Sequence, residues 1–351
     1  MQIFVNRAHA GHAGQQEMFR GRMVDCHEVP ARLQQVLDEL ARRPLGQLDT
    51  PAPELAVDAA MRRVHAGHYL DFLAGAWDEW VALDPANAQR DALPSVWPLG
   101  DPQAFRTDRL PQNFAARLGR YAFDSGTPLT AGSWAAAPAR AAACALAATQ
   151  AVLAGERAAM ALTRPPGHHA GPAYMGGYCF VNNAAVAAQA LRDGGCQRVA
   201  VLDVDYHHGN GTQTLFATRR DVLTVSVHGD PRTEYPFFLG HADERGEGEG
   251  EGFNLNLPLP RGSSFATWER ALLQGLQAVA DFDAQALVVP LGLDTYAGDP
   301  ISGFLLQSPD FVRLGQHLAQ LRLPIVLTLE GGYAVQAMGV NAVNVLEGLQ
   351  H

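Results

Sequence analysis

The stretch RVAVLDVDYHHGNG (residues 198–211) begins as a continuous aliphatic run and ends in charged, polar and glycine residues. A continuous apolar run without polar alternation is typical of a strand that is covered on both faces, as in a parallel sheet. Side chains alternate along a strand, so Asp203, Asp205 and His207 point in the same direction. Three ionisable groups at the end of a buried strand are costly without a cation or a hydrogen-bond network.

This spacing leaves two interpretations of the stretch. An Asp-x-His pair allows a carboxylate and an imidazole to reach one metal ion, at about 2 Å each. Alternatively, an aspartate caps the following helix and His207 is simply solvated. The ends of the other predicted strands bear on the choice between a metal site and a solvated loop.

Four further apolar runs resemble the first, and segments of helical periodicity lie between them. The runs are RAAMALT (157–163), DVLTVSV (221–227), ALVVPLG (286–292) and PIVLTLE (324–330), and the helical segments are residues 182–193, 264–282 and 308–321. This alternation predicts an α/β fold with a central parallel β-sheet flanked by helices on both faces. Ligands bind at the carboxyl ends of the strands in such sheets.

Polar residues follow the predicted strands at the edge where such a sheet binds its ligands. His168 and His169 follow RAAMALT, Asp294 follows ALVVPLG, and Glu330 and Tyr333 follow PIVLTLE. Chance would have to act at four strand ends at once, including the end of RVAVLDV. We therefore favour a shared site over separate solvated loops.

Asp205, His207 and Asp294 form a candidate set of metal ligands. Three protein ligands and one open position are typical of catalytic zinc, which polarises a carbonyl and lowers the pKa of bound water to about 7. An imidazole beside that water can act as a general base. Tyr333 follows two glycines, so a mobile backbone is expected to bring its hydroxyl to a developing oxyanion. We interpret Glu330 as a support for the Tyr333 loop.

The chain resembles the zinc-dependent histone deacetylase family of the arginase–deacetylase superfamily in a series of motifs. They are RPPGHHA (164–170), GGYCFVNNAAVAA (176–188), LDVDYHHGNGTQ (202–213), LGLDTYAGDP (291–300) and EGGY (330–333). Within the family it is most similar to the bacterial acetylpolyamine amidohydrolases, through GDPRTEYPFFLG (229–240), DPISGF (299–304) and the opening segment. The resemblance implies a single catalytic domain over residues 1–351. It also implies removal of acetyl groups from small N-acetylated amines such as acetylputrescine or acetylcadaverine.

The resemblance implies roles for the polar residues, beginning with one zinc ion on the three candidate ligands. His169 is the general base and then the acid that protonates the leaving amine. His168, held by Asp203, assists electrostatically, and Tyr333 donates to the oxyanion. Asn210 stands where many histone deacetylases have the carboxylate partner of His169, and the acetylpolyamine branch also carries Asn there.

The resemblance also implies a structural potassium ion and a substrate tunnel. The potassium residues are Asp203, Ser226 and Val227, with backbone carbonyls of Asp205 and His207, and a second such site would lie near Phe216 and Val222. Tyr178 and Tyr235 match the aromatic walls of the tunnel, and Glu17 is a candidate for holding the distal ammonium of the substrate. Arg32 matches an interior arginine near the acetate exit.

Residues 84–133 are rich in Pro, Gly, Asn and Asp and contain several aromatic residues, which is typical of an ordered insertion. The insertion resembles the segment of the polyamine branch that roofs the tunnel and forms a dimer, so we expect a homodimer. It contains no Glu, and its five aspartates are balanced by five arginines. The aspartates are Asp84, Asp91, Asp101, Asp108 and Asp124. The residue that holds a distal ammonium therefore stays open.

Composition narrows the classes of partner. A net charge of −10 disfavours binding to nucleic acid phosphates and is compatible with a small cationic substrate. The sequence has no apolar run of membrane-spanning length and no pattern of a signal peptide. Four cysteines without CxxC spacing disfavour a disulfide framework, so we expect a cytoplasmic protein.

Three alternatives to the polyamine hypothesis differ in the residues that they require. The Glu-free insertion favours a broader lysine deacetylase or deacylase that acts on acetyl-lysine peptides or another acylated metabolite. A non-catalytic binding protein would have lost a zinc ligand or Tyr333, and all are present. A binuclear manganese enzyme of the arginase type needs further aspartates where His208 and Asn210 stand.

Overall fold

The computed structural model describes residues 1–97 and 108–350. Its strands are β1 (Gln2–Val5), β2 (Gln16–Phe19), β3 (Arg22–Asp25), β4 (Gln47–Asp49), β5 (Ala158–Leu162), β6 (Val199–Asp203), β7 (Val222–Gly229), β8 (Asn254–Leu259), β9 (Ala286–Leu291) and β10 (Ile325–Leu329). Its α-helices are α1 (Ala31–Arg42), α2 (Val57–Met61), α3 (Gly67–Leu83), α4 (Phe114–Arg120), α5 (Pro138–Leu153), α6 (Asn183–Asp193), α7 (Asn210–Phe216), α8 (Phe265–Asp281), α9 (Ser308–Gln320) and α10 (Val335–Leu349).

The strands form an eight-stranded parallel sheet in the order β4-β1-β5-β10-β9-β6-β7-β8, and β2 and β3 form a separate antiparallel hairpin. The five strands predicted from apolar runs are β5, β10, β9, β6 and β7, which occupy consecutive central positions. The predicted α/β fold with a central parallel sheet is therefore confirmed. The outer strands β1, β4 and β8 were not predicted, because they are short or partly exposed.

Helices cover both faces of the sheet, and the strand alternation divides the core between them. In β9, Leu287 and Val289 pack into the layer that contains α8, α9 and α10, while Val288 packs against α5 and α6. The second layer is rich in alanine, including Ala148 and Ala184, which allows close approach of helix and sheet. Continuous apolar runs are needed in the central strands because both faces are buried.

The insertion predicted over residues 84–133 is partly within the described residues. It contains α4 and an isolated antiparallel bridge between Ala92 and Leu129, and Phe114 and Tyr121 are buried. Residues 98–107, including Asp101, lie outside the described residues.

In the described part of the chain, no helix combines the length and hydrophobicity needed to cross a membrane. All four cysteines are free thiols.

Candidate active site

The loop after β5 carries the adjacent His168 and His169, and a neighbouring strand end fixes its backbone. Glu330 directly follows β10, and its Oε2 accepts hydrogen bonds from the N–H groups of Gly167 (2.5 Å) and His168 (3.1 Å). Burial raises the pKa of the Glu330 carboxyl to about 7. The Glu330 side chain therefore supports the histidine loop, whereas the sequence interpretation assigned it to the Tyr333 loop.

His168 is held by two carboxylates that favour its charged form. Its Nδ1 lies 2.9 Å from Oδ2 of Asp203, and its Nε2 lies 3.8 Å from Oδ1 of Asp205. Burial disfavours the imidazolium, but the charges of Asp203 and Asp205 outweigh burial and raise the pKa of His168 to about 10. The residue is therefore a fixed positive charge beside His169.

His169 has the opposite electrostatic character. Its Nδ1 donates a hydrogen bond to Oδ1 of Asn210 at 2.7 Å, which leaves Nε2 as an unprotonated acceptor. Burial, followed by the positive charge of His168, lowers the pKa of His169 well below its usual value. A neutral imidazole with a free basic nitrogen is the form that a general base requires.

Asp205, His207 and Asp294 converge as predicted from the sequence. Their ligand atoms all lie within 4.8 Å of one another, and the three residues are buried. Nδ1 of His207 lies 2.9 Å from Oδ2 of Asp294 and 3.4 Å from Oδ1 of Asp205. Gly331 closes the cluster, because its N–H donates to Oδ2 of Asp205 at 2.8 Å. A Cβ at position 331 would lie 2.6 Å from Oδ2 of both aspartates, so only glycine fits.

The electrostatics of this cluster fit a divalent cation. Burial and the neighbouring Asp205 carboxylate raise the pKa of Asp294 to about 7. Burial lowers the pKa of His207, but hydrogen bonds to Asp205 and Asp294 outweigh it and raise the pKa to about 10. The cluster thus favours additional positive charge, which a bound metal ion supplies. One imidazole and two carboxylates suit zinc and leave a coordination position open.

The loop that carries Tyr333 is held at several atoms, in contrast to the mobile backbone expected from its two glycines. Oδ2 of Asp299 accepts the N–H of Tyr333 at 2.6 Å. Arg32 donates from Nε to the carbonyl of Gly332 at 2.6 Å, and its guanidinium lies 4.6 Å from the centroid of the Tyr333 ring. Asp299 was missed by sequence reasoning, although it lies within the quoted motif LGLDTYAGDP.

His169, His207 and Tyr333 line a cavity of about 300 Å³, which we call the tunnel. Its lining consists of Met18, Phe19, Arg20, Asp124, Ser125, Gly126, His169, Gly177, Tyr178, His207, Glu234, Tyr235, Phe237, Ile301 and Tyr333. Tyr178 and Tyr235 line it as predicted, with ring centroids 5.5 Å from Tyr333 and 5.0 Å from His169, respectively. The exposed lining residues Met18, Arg20 and Phe237 define the tunnel mouth.

The candidate ammonium ligand Glu17 lies behind the tunnel wall. It is 1% exposed, and its Oε1 accepts hydrogen bonds from the Tyr178 hydroxyl (2.8 Å) and from Nδ1 of His27 (2.6 Å). A direct contact between Glu17 and substrate stays a prediction. Asp124 of the insertion lines the tunnel itself, which its position in the sequence did not reveal.

The predicted potassium residues lie side by side on adjacent strands. Asp203 of β6 is in register with Ser226 of β7, and Val227 follows it. Nε2 of His228 donates to the carbonyl of Gly240 at 2.8 Å, so its Nδ1 accepts the Ser226 hydroxyl proton at 2.8 Å. The lone pairs of the Ser226 oxygen are therefore left available for a cation.

Residues 26–349 match the model of the histone deacetylase domain family. The chain is 47% identical over 346 residues to acetylpolyamine amidohydrolase 2 of Pseudomonas aeruginosa, with 97% of this chain and 96% of that protein covered. It is 41% identical over 350 residues to acetylpolyamine amidohydrolase of Mycoplana ramosa, with 99% of both chains covered.

A solved structure is similar over the same length. The crystal structure of acetylpolyamine aminohydrolase from Burkholderia pseudomallei matches with a TM-score of 0.92 and 39% sequence identity. The match covers 99% of this chain and 98% of the other. The fold is therefore shared with this solved structure along nearly the whole chain.

Proposed function

The chain belongs to the histone deacetylase domain family and is a hydrolytic deacetylase, and on that premise we propose that it removes acetyl groups from small N-acetylated amines in a zinc-dependent reaction. The observation that carries the proposal is a buried cluster of two carboxylates and one imidazole beside a charged His168 and a neutral His169. His207 of the cluster and His169 both line the tunnel. The names of the relatives, which are covered over nearly their full lengths, support acetylated polyamines as the substrate class.

Each residue has a defined task in this proposal. Zinc held by Asp205, His207 and Asp294 would supply a Lewis acid that polarises the acetyl carbonyl and acidifies water. Nε2 of His169 takes the proton from the attacking water and later delivers it to the leaving amine nitrogen. The Tyr333 hydroxyl donates a hydrogen bond to the oxygen on which negative charge develops. The tunnel walls hold the alkyl chain and exclude water.

His168 stabilises the negative charge that develops in the reaction, and it does so without exchanging a proton. Its pairing with Asp203 keeps it positive, and its ring centroid lies 4.0 Å from that of His169. This positive charge disfavours protonation of His169 in the resting enzyme. It also stabilises negative charge that develops beside the imidazoles during the reaction.

The test is a side-by-side assay of zinc-loaded protein on acetylputrescine, acetylcadaverine, acetylspermine and an acetyl-lysine peptide. His169→Ala is the inactive blank, and His68→Ala, at an exposed histidine, is the matched control. We expect kcat/KM for the small amines to exceed that for the peptide at least tenfold, about 1.4 kcal/mol of transition-state discrimination. Preference for the peptide would instead support the broader lysine deacetylase.

The metal is tested independently of activity. We expect about one zinc per chain in the wild type by elemental analysis, and much less in Asp294→Asn, which removes one ligand charge. A chelator would abolish turnover, and zinc would restore it. Equal zinc content in the two proteins would contradict the proposed ligand set.

Two further features complete the proposal. Potassium at Asp203, Ser226 and Val227 is supported by the free lone pairs of Ser226, and it predicts a higher thermal midpoint in potassium than in a bulky organic cation. Ser226→Ala would reduce that difference.

A cytoplasmic homodimer that uses the insertion is supported by the resemblance alone, and light scattering that shows a monomer at micromolar concentration would contradict it.

A further inference from the structure

Arg20 occupies an unusual position at the tunnel mouth. It is the first residue of the two-residue turn between β2 and β3, where Arg20 and Gly21 have φ values of +48° and +80°. Positive φ at both positions is the geometry of a type I′ hairpin turn. The turn places an exposed arginine among the residues that line the tunnel.

The guanidinium of Arg20 is not neutralised by a neighbour. It lies 5.1 Å from the centroid of the Phe19 ring, a cation–π contact that leaves the charge in place. Within residues 1–97 and 108–350, no carboxylate forms an ion pair with it. Among the described residues that define the mouth, Arg20 is therefore the charged side chain that a substrate extending out of the tunnel meets.

The carboxylates of the tunnel wall are already used by protein donors. Oδ1 of Asp124 accepts from the N–H of Gly126 and the hydroxyl of Thr127, and Oδ2 accepts from the N–H of Gly177 and the hydroxyl of Tyr235. These four donors account for the acceptor sites of one carboxylate.

The second lining carboxylate, Glu234, is 3% exposed and is paired with Arg261. The other lining residues at the mouth, Met18 and Phe237, are apolar. In the described part of the tunnel, an ammonium group at the level of the mouth therefore meets Arg20 and apolar side chains, and no uncommitted carboxylate.

We propose that Arg20 is a specificity-determining residue. It discriminates between substrates by the charge on the end that projects from the tunnel. It disfavours acetylated amines with a second ammonium at the mouth, relative to short acetylated diamines that end inside the tunnel. This inference rests on the proposed function and deepens it. The net charge of −10 draws cations toward the protein at long range, whereas Arg20 acts locally on the bound substrate.

A matched pair of substrates tests the proposal. N8-acetylspermidine is acetylputrescine extended by an aminopropyl group, so the acetylated segment is the same and the charge at the mouth differs. We expect Arg20→Gln to lower the preference for acetylputrescine about threefold to tenfold, as expected for one partly screened charge. The change would lie in KM for N8-acetylspermidine, with kcat little affected, and would shrink at high salt.

Two further variants sharpen the result. Arg20→Glu should shift the preference further in the same direction, because it replaces repulsion by attraction. Arg22→Gln removes an exposed arginine of the same hairpin that does not line the tunnel, and it should leave the preference unchanged. An equal effect of Arg20→Gln and Arg22→Gln, or an unchanged preference in Arg20→Gln, would overturn the role of Arg20.

Binding measurements keep this failure separate from failure of the proposed function. Calorimetry with His169→Ala, with and without Arg20→Gln, gives Kd for both amines without turnover. A selective gain in N8-acetylspermidine affinity on Arg20→Gln supports the proposed role of Arg20 in specificity, even if hydrolysis is slow. Absence of hydrolysis of any acetylated amine by the wild type overturns the proposed function, and an identical ratio of Kd values in both proteins overturns the inference.

Discussion

The imidazole of His169 is paired with an amide, because its Nδ1 donates to Oδ1 of Asn210 at 2.7 Å. Its neighbour His168 is paired with the carboxylate of Asp203 at 2.9 Å. The two rings lie 4.0 Å apart between centroids, yet the pKa of His168 is raised and that of His169 is lowered. Because the two histidines have different partners, His168 is a fixed positive charge and His169 is a neutral base.

Replacing the amide by a carboxylate should weaken this division. We expect Asn210→Asp to raise the pKa of His169, because a carboxylate stabilises the imidazolium. Since the base must be neutral, the acid limb of the kcat/KM profile would move to higher pH by about 1 unit. Asn113→Asp is the control, because Asn113 caps α4 and aspartate caps a helix equally well. An acid limb that stays in place would contradict this role of Asn210.

The hydroxyl of Tyr333 can be removed without removing its ring. Tyr333→Phe keeps the ring beneath the Arg32 guanidinium, so we expect an unchanged thermal midpoint. Loss of the oxyanion donor should lower kcat about 10²- to 10³-fold, with a small effect on KM. Tyr121→Phe, which loses a hydroxyl contact to His68 at 3.0 Å, serves as the control. A loss of less than tenfold in Tyr333→Phe would argue against direct contact with the oxyanion.

Sequence reasoning predicted the parts of the fold and site that depend on regular periodicity. The central strands were predicted because burial on both faces requires unbroken apolar runs, and the candidate metal ligands Asp205, His207 and Asp294 follow such runs. The parallel sheet brings the ends of β6 and β9 together, so candidate ligands far apart in sequence meet.

The parts that were missed depend on contacts between irregular segments. Asp124 lies in a loop of the insertion, and nothing in the local sequence shows that its carboxylate accepts from Gly177 and Tyr235. Glu330 was assigned to the wrong loop, because strand order determines which backbone N–H groups it meets. Arg20 lines the tunnel only because a tight hairpin turns it there.

The position of Glu17 behind Tyr178 leads to a discriminating prediction. We expect Glu17→Gln to raise KM about threefold to tenfold, because a charge-assisted hydrogen bond to the Tyr178 hydroxyl is lost. The effect should be equal for acetylputrescine and for N-butylacetamide, which lacks the distal ammonium. A loss confined to acetylputrescine would show instead that Glu17 acts on the ammonium. Asp25→Asn, at an exposed carboxylate of the same hairpin, controls for net charge.

His65 ties together the two ends of residues 171–182, the segment that follows the histidine pair and carries Tyr178. Its Nδ1 donates to the carbonyl of Gly171 at 2.8 Å, and its Nε2 accepts the N–H of Asn182 at 2.9 Å. The contact with Asn182 requires an unprotonated Nε2 and therefore the neutral ring, and burial lowers the pKa of His65 to about 4. Because the unfolded chain binds a proton more readily, the stability contributed by neutral His65 is complete above about pH 6.5.

We therefore expect the free energy of unfolding to fall as the pH decreases from 6.5 toward 4, with His65 accounting for up to roughly 3 kcal/mol. His65→Gln cannot titrate, so its stability should depend less steeply on pH across this interval, even if the variant is less stable at neutral pH. Chemical denaturation at several pH values measures the slope, and His68→Gln, at an exposed histidine of α3, is the control. Parallel slopes for wild type and His65→Gln would show that the ring accepts a proton without breaking its contact with Asn182.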